Sequence, residues 1–224
     1  MRRALVFEIE ELLFDTGAVR AGMLRDALAH EGAQIAADVV AAAHSGVPAA
    51  LALQRLGSVL VLDVTGRDLV LHRAAALTSR EFEAHAPAFD IAVRDQLAAL
   101  AVDVSLAVVT RATSEQARRW LAAAGLDACV GTVRSLADVE PAEYAAVWSE
   151  ALGRAHATQG VAIAAPPLLP HAASAGLRTV HIGEAADRDG TGYHPDAQLS
   201  SLSQLHSDLI ASLCPAPHVI HPAP

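Results

Sequence analysis

Apolar residues gather in five runs of strand length: residues 4–7 (ALVF), 104–110 (VSLAVVT), 128–133 (ACVGTV), 160–165 (GVAIAA) and 177–183 (LRTVHIG). The runs are nearly continuous rather than alternating, as in strands buried on both faces. Between the later runs the apolar positions change to helical spacing. In SEQARRWLAAAGL, Ala117, Trp120, Leu121 and Ala124 share one face, and Gly125 supplies a C-terminal stop. PAEYAAVWSEALGRA begins with Pro141 at a first-turn position and carries Tyr144, Val147, Trp148 and Leu152. Strands alternating with helices predict an α/β fold, a Rossmann-like doubly wound parallel sheet covered on both faces. Ligands of such sheets bind beyond the carboxyl ends of the strands. Those ends fall at residues 8–11, at Thr110 and Arg111, and at residues 164–167.

Residues 17–87 break this rhythm. VRAGMLRDALAHEG, IAADVVAAAHSG and VPAALALQRLG are three helical patterns closed by glycine, and RDLVLHRAAALTSREFEAHA adds further helix. SVLVLDV (58–64) fits a strand or a buried helix, since short apolar runs do not decide between them. The expected organisation is a core from residues 1–16 and 88–213, an inserted α-helical cap over 17–87, and a proline-rich, poorly ordered tail over 214–224.

Composition narrows the classes. The chain has 224 residues, is 53% hydrophobic and carries a net charge of -9 with only 16 Lys and Arg, which argues against a nucleic-acid-binding face. No apolar run reaches membrane-spanning length, acids interrupt the start too early for a signal peptide, and two cysteines make no disulfide framework. The expectation is a soluble, cytoplasmic protein. His218 and His221 lie in the tail without a partnering cysteine pair, and Ser45, Ser114 and Ser174 lack a nucleophile-elbow setting. DRDGTG (187–192) reads as a loop, and Trp120 and Trp148 read as core.

The stretch RALVFEIEELLFDT puts Glu8, Glu10 and Glu11 at the mouth of an apolar strand. With LAVVTRATSEQARRWLAAAGL, VEPAEYAAVWSEALG and GVAIAAPPLLPHAASAGLRTVHIG it resembles, in order, the four motifs of the haloacid dehalogenase superfamily. The branch is the one of phosphoglycolate phosphatases and β-phosphoglucomutase. AHSGVPAALALQRL, which includes Gly46, resembles the cap segment that faces the site. The resemblance implies an aspartate nucleophile, a second aspartate as acid and base, a threonine and a lysine on the phosphate, and acids that hold Mg²⁺. In this chain Glu8 stands at the nucleophile position and Glu10 at the acid/base position. Glu11 and Leu12 replace a Gly-Thr pair, Thr110 matches, and Glu140 replaces the lysine. Ile163 and Ala164 stand where the metal-holding acids belong, and Ala165 takes the serine.

The catalytic set Glu8, Glu10, Thr110, Glu140 and Ala164 is therefore degenerate. The expected protein keeps the fold, has lost phosphatase activity, needs no cofactor and acts by binding a protein partner or small ligand. Ligand-binding candidates are Glu8, Glu10, Thr110, Arg111 and Gly46. Glu8, Glu10 and Glu140 offer oxygens for a possible cation; the bland alternative is a solvated acidic rim. Thr110 either binds an anion with neighbouring N–H groups or merely ends a strand. Arg111 reads as an exposed loop residue, with pairing to Glu8 as the alternative. Two enzyme readings stand beside the first. One is an atypical Mg²⁺-dependent phosphatase or phosphomutase using Glu8, Glu10, Thr110 and Arg111. The other is a non-phosphoryl enzyme that uses the cleft carboxylates as acid and base.

Overall fold

The computed structural model describes all residues except 1, 15, 46, 86, 138, 184–192 and 216–224. DRDGTG, His218 and His221 thus lie outside the described residues, as does Gly46. Strand β1 (Arg3–Glu8) leads into a single turn of helix, α1 (Ile9–Leu12). Helices α2 (Gly17–His30), α3 (Ala37–His44), α4 (Ala49–Arg55) and α5 (Val64–Ala84) follow before the sheet resumes. Then come α6 (Ile91–Leu100), β2 (Ser105–Thr110), α7 (Ser114–Ala123), β3 (Val130–Ser135), α8 (Tyr144–Arg154), β4 (Gln159–Ile163), α9 (Leu169–Ser174), β5 (Arg178–Ile182), β6 (Ala197–Leu199) and α10 (Ser207–Leu213). The sheet order is β3-β2-β1-β4-β5-β6, and every pairing is parallel.

Alternation along the central strands sorts residues between two cores. Leu5, Phe7, Leu106, Val108, Val161 and Ile163 face α6, α7 and α10. Ala4, Val6, Ala107, Val109, Ala162 and Ala164 face α8 and α9. The second face is built of small residues, and it receives the large, fully buried Trp148. Big against small in register is what lets both layers close-pack. The two tryptophans read as core from the sequence are core, with Trp120 on the opposite face.

Polar side chains fix where the helices begin. The Asp63 carboxylate accepts from Gly66 N at 2.7 Å, the Asp90 carboxylate from Ala92 N at 2.8 Å, and the Thr113 hydroxyl from Gln116 N at 3.2 Å. Each satisfies a donor that the helix cannot. Helices α2 to α5 share a third core of their own, around Leu24, Leu28, Val40, Leu53 and Val70. The chain's entry to and exit from this helical block are joined, because Phe14 and Phe89 form an antiparallel bridge and Asp90 N donates to Leu13 O at 3.3 Å.

Three expectations change. The run 58–64 is neither strand nor buried helix: a 3-10 turn at Leu56–Ser58 leads to an extended stretch before α5. Val61 is fully exposed there while Leu60 is buried, and among the described residues the run pairs with no strand. Strand β6 adds an edge with only three residues. Cys214, placed in the tail, belongs to the core: it is buried, and its carbonyl accepts from Arg3 Nε at 3.0 Å.

Gly160 shows how tightly β4 meets β1. A Cβ there would lie 2.9 Å from Ala4 O and 3.0 Å from a methyl of Leu152 and of Leu177. The first contact is backbone within the sheet and has no room to yield. Gly160→Ala is expected to cost about 1–3 kcal/mol through overpacking, read as a lowered denaturant midpoint at unchanged slope.

Candidate functional site

The carboxyl ends of β1, β2 and β4 converge, as a parallel sheet requires. Glu8 ends β1 with no exposed surface, and Glu10 follows on α1, 5% exposed. Thr110 ends β2, and Arg111 is 8% exposed. The expected solvated acidic rim fails for Glu8 and Glu10 and holds for Glu140, which is exposed, and the expected exposed loop arginine is buried. The helical block closes over this end of the sheet, so charges that would project into water instead neutralise one another.

The network has two halves. Arg111 Nε lies 2.5 Å from Glu8 Oε1, a close charge pair not aligned as a hydrogen bond. Glu8 Oε2 accepts from Ala165 N at 2.9 Å. In the other half Glu10 Oε1 accepts from Thr110 Oγ1 at 2.7 Å, Arg111 N at 2.8 Å and Ala112 N at 2.9 Å. Arg20, from α2, donates to the same oxygen at 3.3 Å and to Arg111 O at 3.5 Å. Glu10 Oε2 is buried and accepts from no donor among the described residues.

Burial drives the electrostatics. It pushes the Glu8 carboxyl up to about 7, against the pull of Arg111 and with a push from Glu10 and Glu11. Glu11 is raised too, by partial desolvation against the pull of Arg111, although it stays exposed on α1. Burial lowers the Arg20 guanidinium to about 10, partly offset by Glu10. At Arg111 burial opposes the charge, but Glu8, Glu10 and Glu11 outweigh it and hold the group above its ordinary value. His44, on α3, is lowered to about 4 by burial and by the positive charges of Arg111 and Arg20.

A cavity of about 460 Å³ lies between the helical block and the sheet. That volume suits a small molecule. Leu24, Val47, Leu71 and Ala74 make an apolar wall; Arg20, His44, Arg111, Thr113, Glu140 and Tyr144 supply polar groups. Burial and Glu140 raise the Tyr144 phenol to about 12, so it stays neutral and able to donate. The segment 47–50 lines the cavity, on the side where the cap segment was expected. Glu8 and Glu10 are not among its lining residues, whereas Arg111, paired with Glu8, is.

The sequence candidates are thus divided. Glu8, Glu10, Thr110 and Arg111 come together in one buried network, while Glu140 sits exposed at the cavity rim and Ala164 is buried in the core. The cation site weighed for Glu8, Glu10 and Glu140 is not formed; among the described residues no group of three or more His, Cys, Asp or Glu side chains is placed to hold a metal ion. Residues around the carboxyl ends do not fit Mg²⁺, which takes oxygen ligands. Ile163, Ala164 and Ala165 bring no carboxylate there, and Arg111 already sets a cation against Glu8. Arg20, His44 and Tyr144 were not singled out from sequence as site residues. For His44 the available signal was its place in AHSGVPAALALQRL, the segment expected to face the site.

His44 and Glu8 titrate in opposite senses. His44 has a depressed folded value, so its contribution is present above about 6.5 and is lost as pH falls towards 4. Glu8 has a raised folded value, so its contribution is present below about 4.5 and is lost as pH rises through 7. His44→Leu removes the His44 part of the first trend, while half-buried His171, also lowered by burial, keeps its own part beside the second trend. That variant should be more stable at about pH 5 than at about pH 7.5, whereas the parent shows a shallower or opposite slope. Chemical denaturation at the two pH values measures it.

Among the described residues no helix is long and apolar enough to cross a membrane. No protein-family model matches the chain, and no curated protein is similar to it in sequence. Solved structures are similar in fold. A haloacid dehalogenase-like hydrolase from Streptococcus pneumoniae is 15% identical, with 89% of this chain and 94% of that chain covered and a TM-score of 0.68. Protein tyrosine kinase A from Mycobacterium tuberculosis is 19% identical over 95% of this chain and 98% of that one, with a TM-score of 0.71. CbbY from Rhodobacter sphaeroides, in complex with xylulose-1,5-bisphosphate, is 16% identical over 92% and 96%, with a TM-score of 0.71. The six-stranded parallel sheet, with helices on both faces, is the fold of the haloacid dehalogenase-like proteins.

Proposed function

We propose that this chain keeps the haloacid dehalogenase-like fold without its phosphoryl-transfer chemistry and acts by binding, with the cavity between helical block and sheet as the ligand site. One observation carries this reading. Glu8, at the position of the attacking carboxylate, has no exposed surface, is paired with Arg111 and stands outside the cavity lining. In-line attack needs the reacting atoms about 3–3.5 Å apart with open approach. Glu8, held near neutrality, would suit acid–base work, but the same burial keeps it from anything in the cavity.

A second reading is an atypical phosphatase or phosphomutase using Glu8, Glu10, Thr110 and Arg111 with Mg²⁺. It is favoured by the likeness to a hydrolase and to CbbY with a bound sugar bisphosphate. That likeness supports the second reading more than the first; the side-chain geometry supports the first. Assays on p-nitrophenyl phosphate and a sugar-phosphate panel with Mg²⁺ separate them. Turnover is expected to stay below about 1 s⁻¹, the low end of ordinary enzymes. Faster turnover that disappears in Glu8→Ala would establish the second reading instead.

A further inference from the structure

Glu10 Oε1 takes Thr110 Oγ1, Arg111 N, Ala112 N and Arg20 Nη2, while Oε2, equally enclosed, takes no donor among the described residues. Successive backbone N–H groups aimed at one point, with a hydroxyl beside them, form an anion-binding nest. A planar carboxylate fills it with one oxygen and leaves the other without a donor. A tetrahedral oxyanion would spread the same donors over several oxygens.

We propose that Glu10 is a built-in anion: it occupies an oxyanion nest at residues 110–112 that would otherwise take phosphate or sulfate, and through Arg20 it fastens the helical block to the sheet. Arg20 belongs to the block, and its guanidinium reaches both Glu10 and the Arg111 carbonyl. It is held in place by Thr16 Oγ1 at 3.2 Å and by the Phe82 ring, whose centroid is 5.5 Å away. Closure of the block over the cavity is thereby independent of a ligand. An external anion enters the nest only when Glu10 leaves it. The inference is independent of whether the protein turns over phosphoesters, because its readout is amide exchange and not rate.

Hydrogen exchange with and without inorganic phosphate tests it. In the wild type the amides of Arg111 and Ala112 are protected, and phosphate changes neither that protection nor the melting temperature. Glu10→Ala should speed exchange at both amides and along α2 by about tenfold or more, the effect of losing a charge-assisted hydrogen bond. Added phosphate should restore protection at the two amides and raise the melting temperature. Arg20→Met keeps the nest filled, so it should loosen α2 alone. If Glu10→Ala does not fold, Glu10→Gln, similar in shape but uncharged, should show the same changes in smaller degree. The proposal is overturned if phosphate protects Arg111 and Ala112 further in the wild type. It is overturned equally if a folded Glu10 variant keeps wild-type protection or ignores phosphate, or if Arg20→Met leaves α2 as protected as before.

Discussion

Arg111→Met should destabilise the protein by about 2–3 kcal/mol at about pH 9, two pH units above the Glu8 value of about 7, and by far less at pH 7, because it leaves the Glu8 carboxylate buried without its countercharge only where Glu8 is ionised. Glu8 has no exposed surface, and the Ala165 amide, at 2.9 Å, is the donor that would remain to it. The group would respond by holding its proton. Arg111 is what pulls its pKa down, so removing Arg111 raises it further above about 7. Neutral Glu8 costs far less to bury than the ion. The penalty of Arg111→Met should therefore shrink on acidification to about pH 5, in the sense set by a raised folded pKa. Adding Glu8→Gln should recover most of the loss at about pH 9. The side-chain carbonyl of the new amide can still accept from Ala165 N, and a buried ion pair replaced on both sides is often close to neutral. Urea titrations of the two single variants and the double variant complete the cycle. Arg111→Met costing under about 1 kcal/mol at about pH 9, the usual worth of an exposed pair, would show that the Glu8–Arg111 contact is not the buried ion pair described.

The sheet was legible because its inner strands are read by burial alone. A strand covered on both faces must be apolar at nearly every position, so residues 4–7, 104–110 and 160–165 stand out in a chain with few other such runs. Strand β6 gave no such signal: at three residues, with one buried, it is too short to carry a pattern. The run 58–64 failed in the other direction. Its alternation of exposed Val59 and Val61 with buried Leu60 is that of a strand, but hydrogen-bonding partners decide strands, and among the described residues it pairs with no strand.

The candidate site was legible in its positions and not in its pairings. Topology alone brings residues 8–10, 110–112 and 163–165 together, and all three segments did meet. What sequence did not show was that the carboxylates and arginines are spent on one another. That depends on side chains far apart in the chain: Arg20 reaches the carbonyl of a residue 91 positions later, and Glu10 meets Thr110 across 100. An acid after a strand usually faces water, and only the block's closure makes these acids internal. His44 escaped notice for the same reason, since nothing in AAAHSG marks a histidine packed near two arginines.

The union of block and sheet has an apolar half as well, and Trp120 is its centre. The ring lies 5.0 Å from that of Phe82 on α5, nearly perpendicular to it, and 5.5 Å from that of Phe14 at the block's entry. Phe14 in turn packs edge-on against Phe89 at the exit, 6.1 Å away. Trp120→Ala should cost about 3–5 kcal/mol, the usual range for a buried tryptophan. Trp148→Ala should cost about as much by the same rule, because Trp148 is fully buried against the opposite face. The two differ in where the loss appears. Trp148 lies among α8, α9 and the alanine face of the sheet and belongs wholly to the core. Its removal should weaken global stability and leave α5 and α2 exchanging as in the parent. Removal of Trp120 strips Phe82 of its partner, and Phe82 is also the ring beneath Arg20. Trp120→Ala should therefore speed amide exchange in α5 and α2 beyond what its global loss explains, by local opening of the block. Equal exchange patterns in the two variants at matched stability would mean that block and sheet open only together, as one cooperative unit.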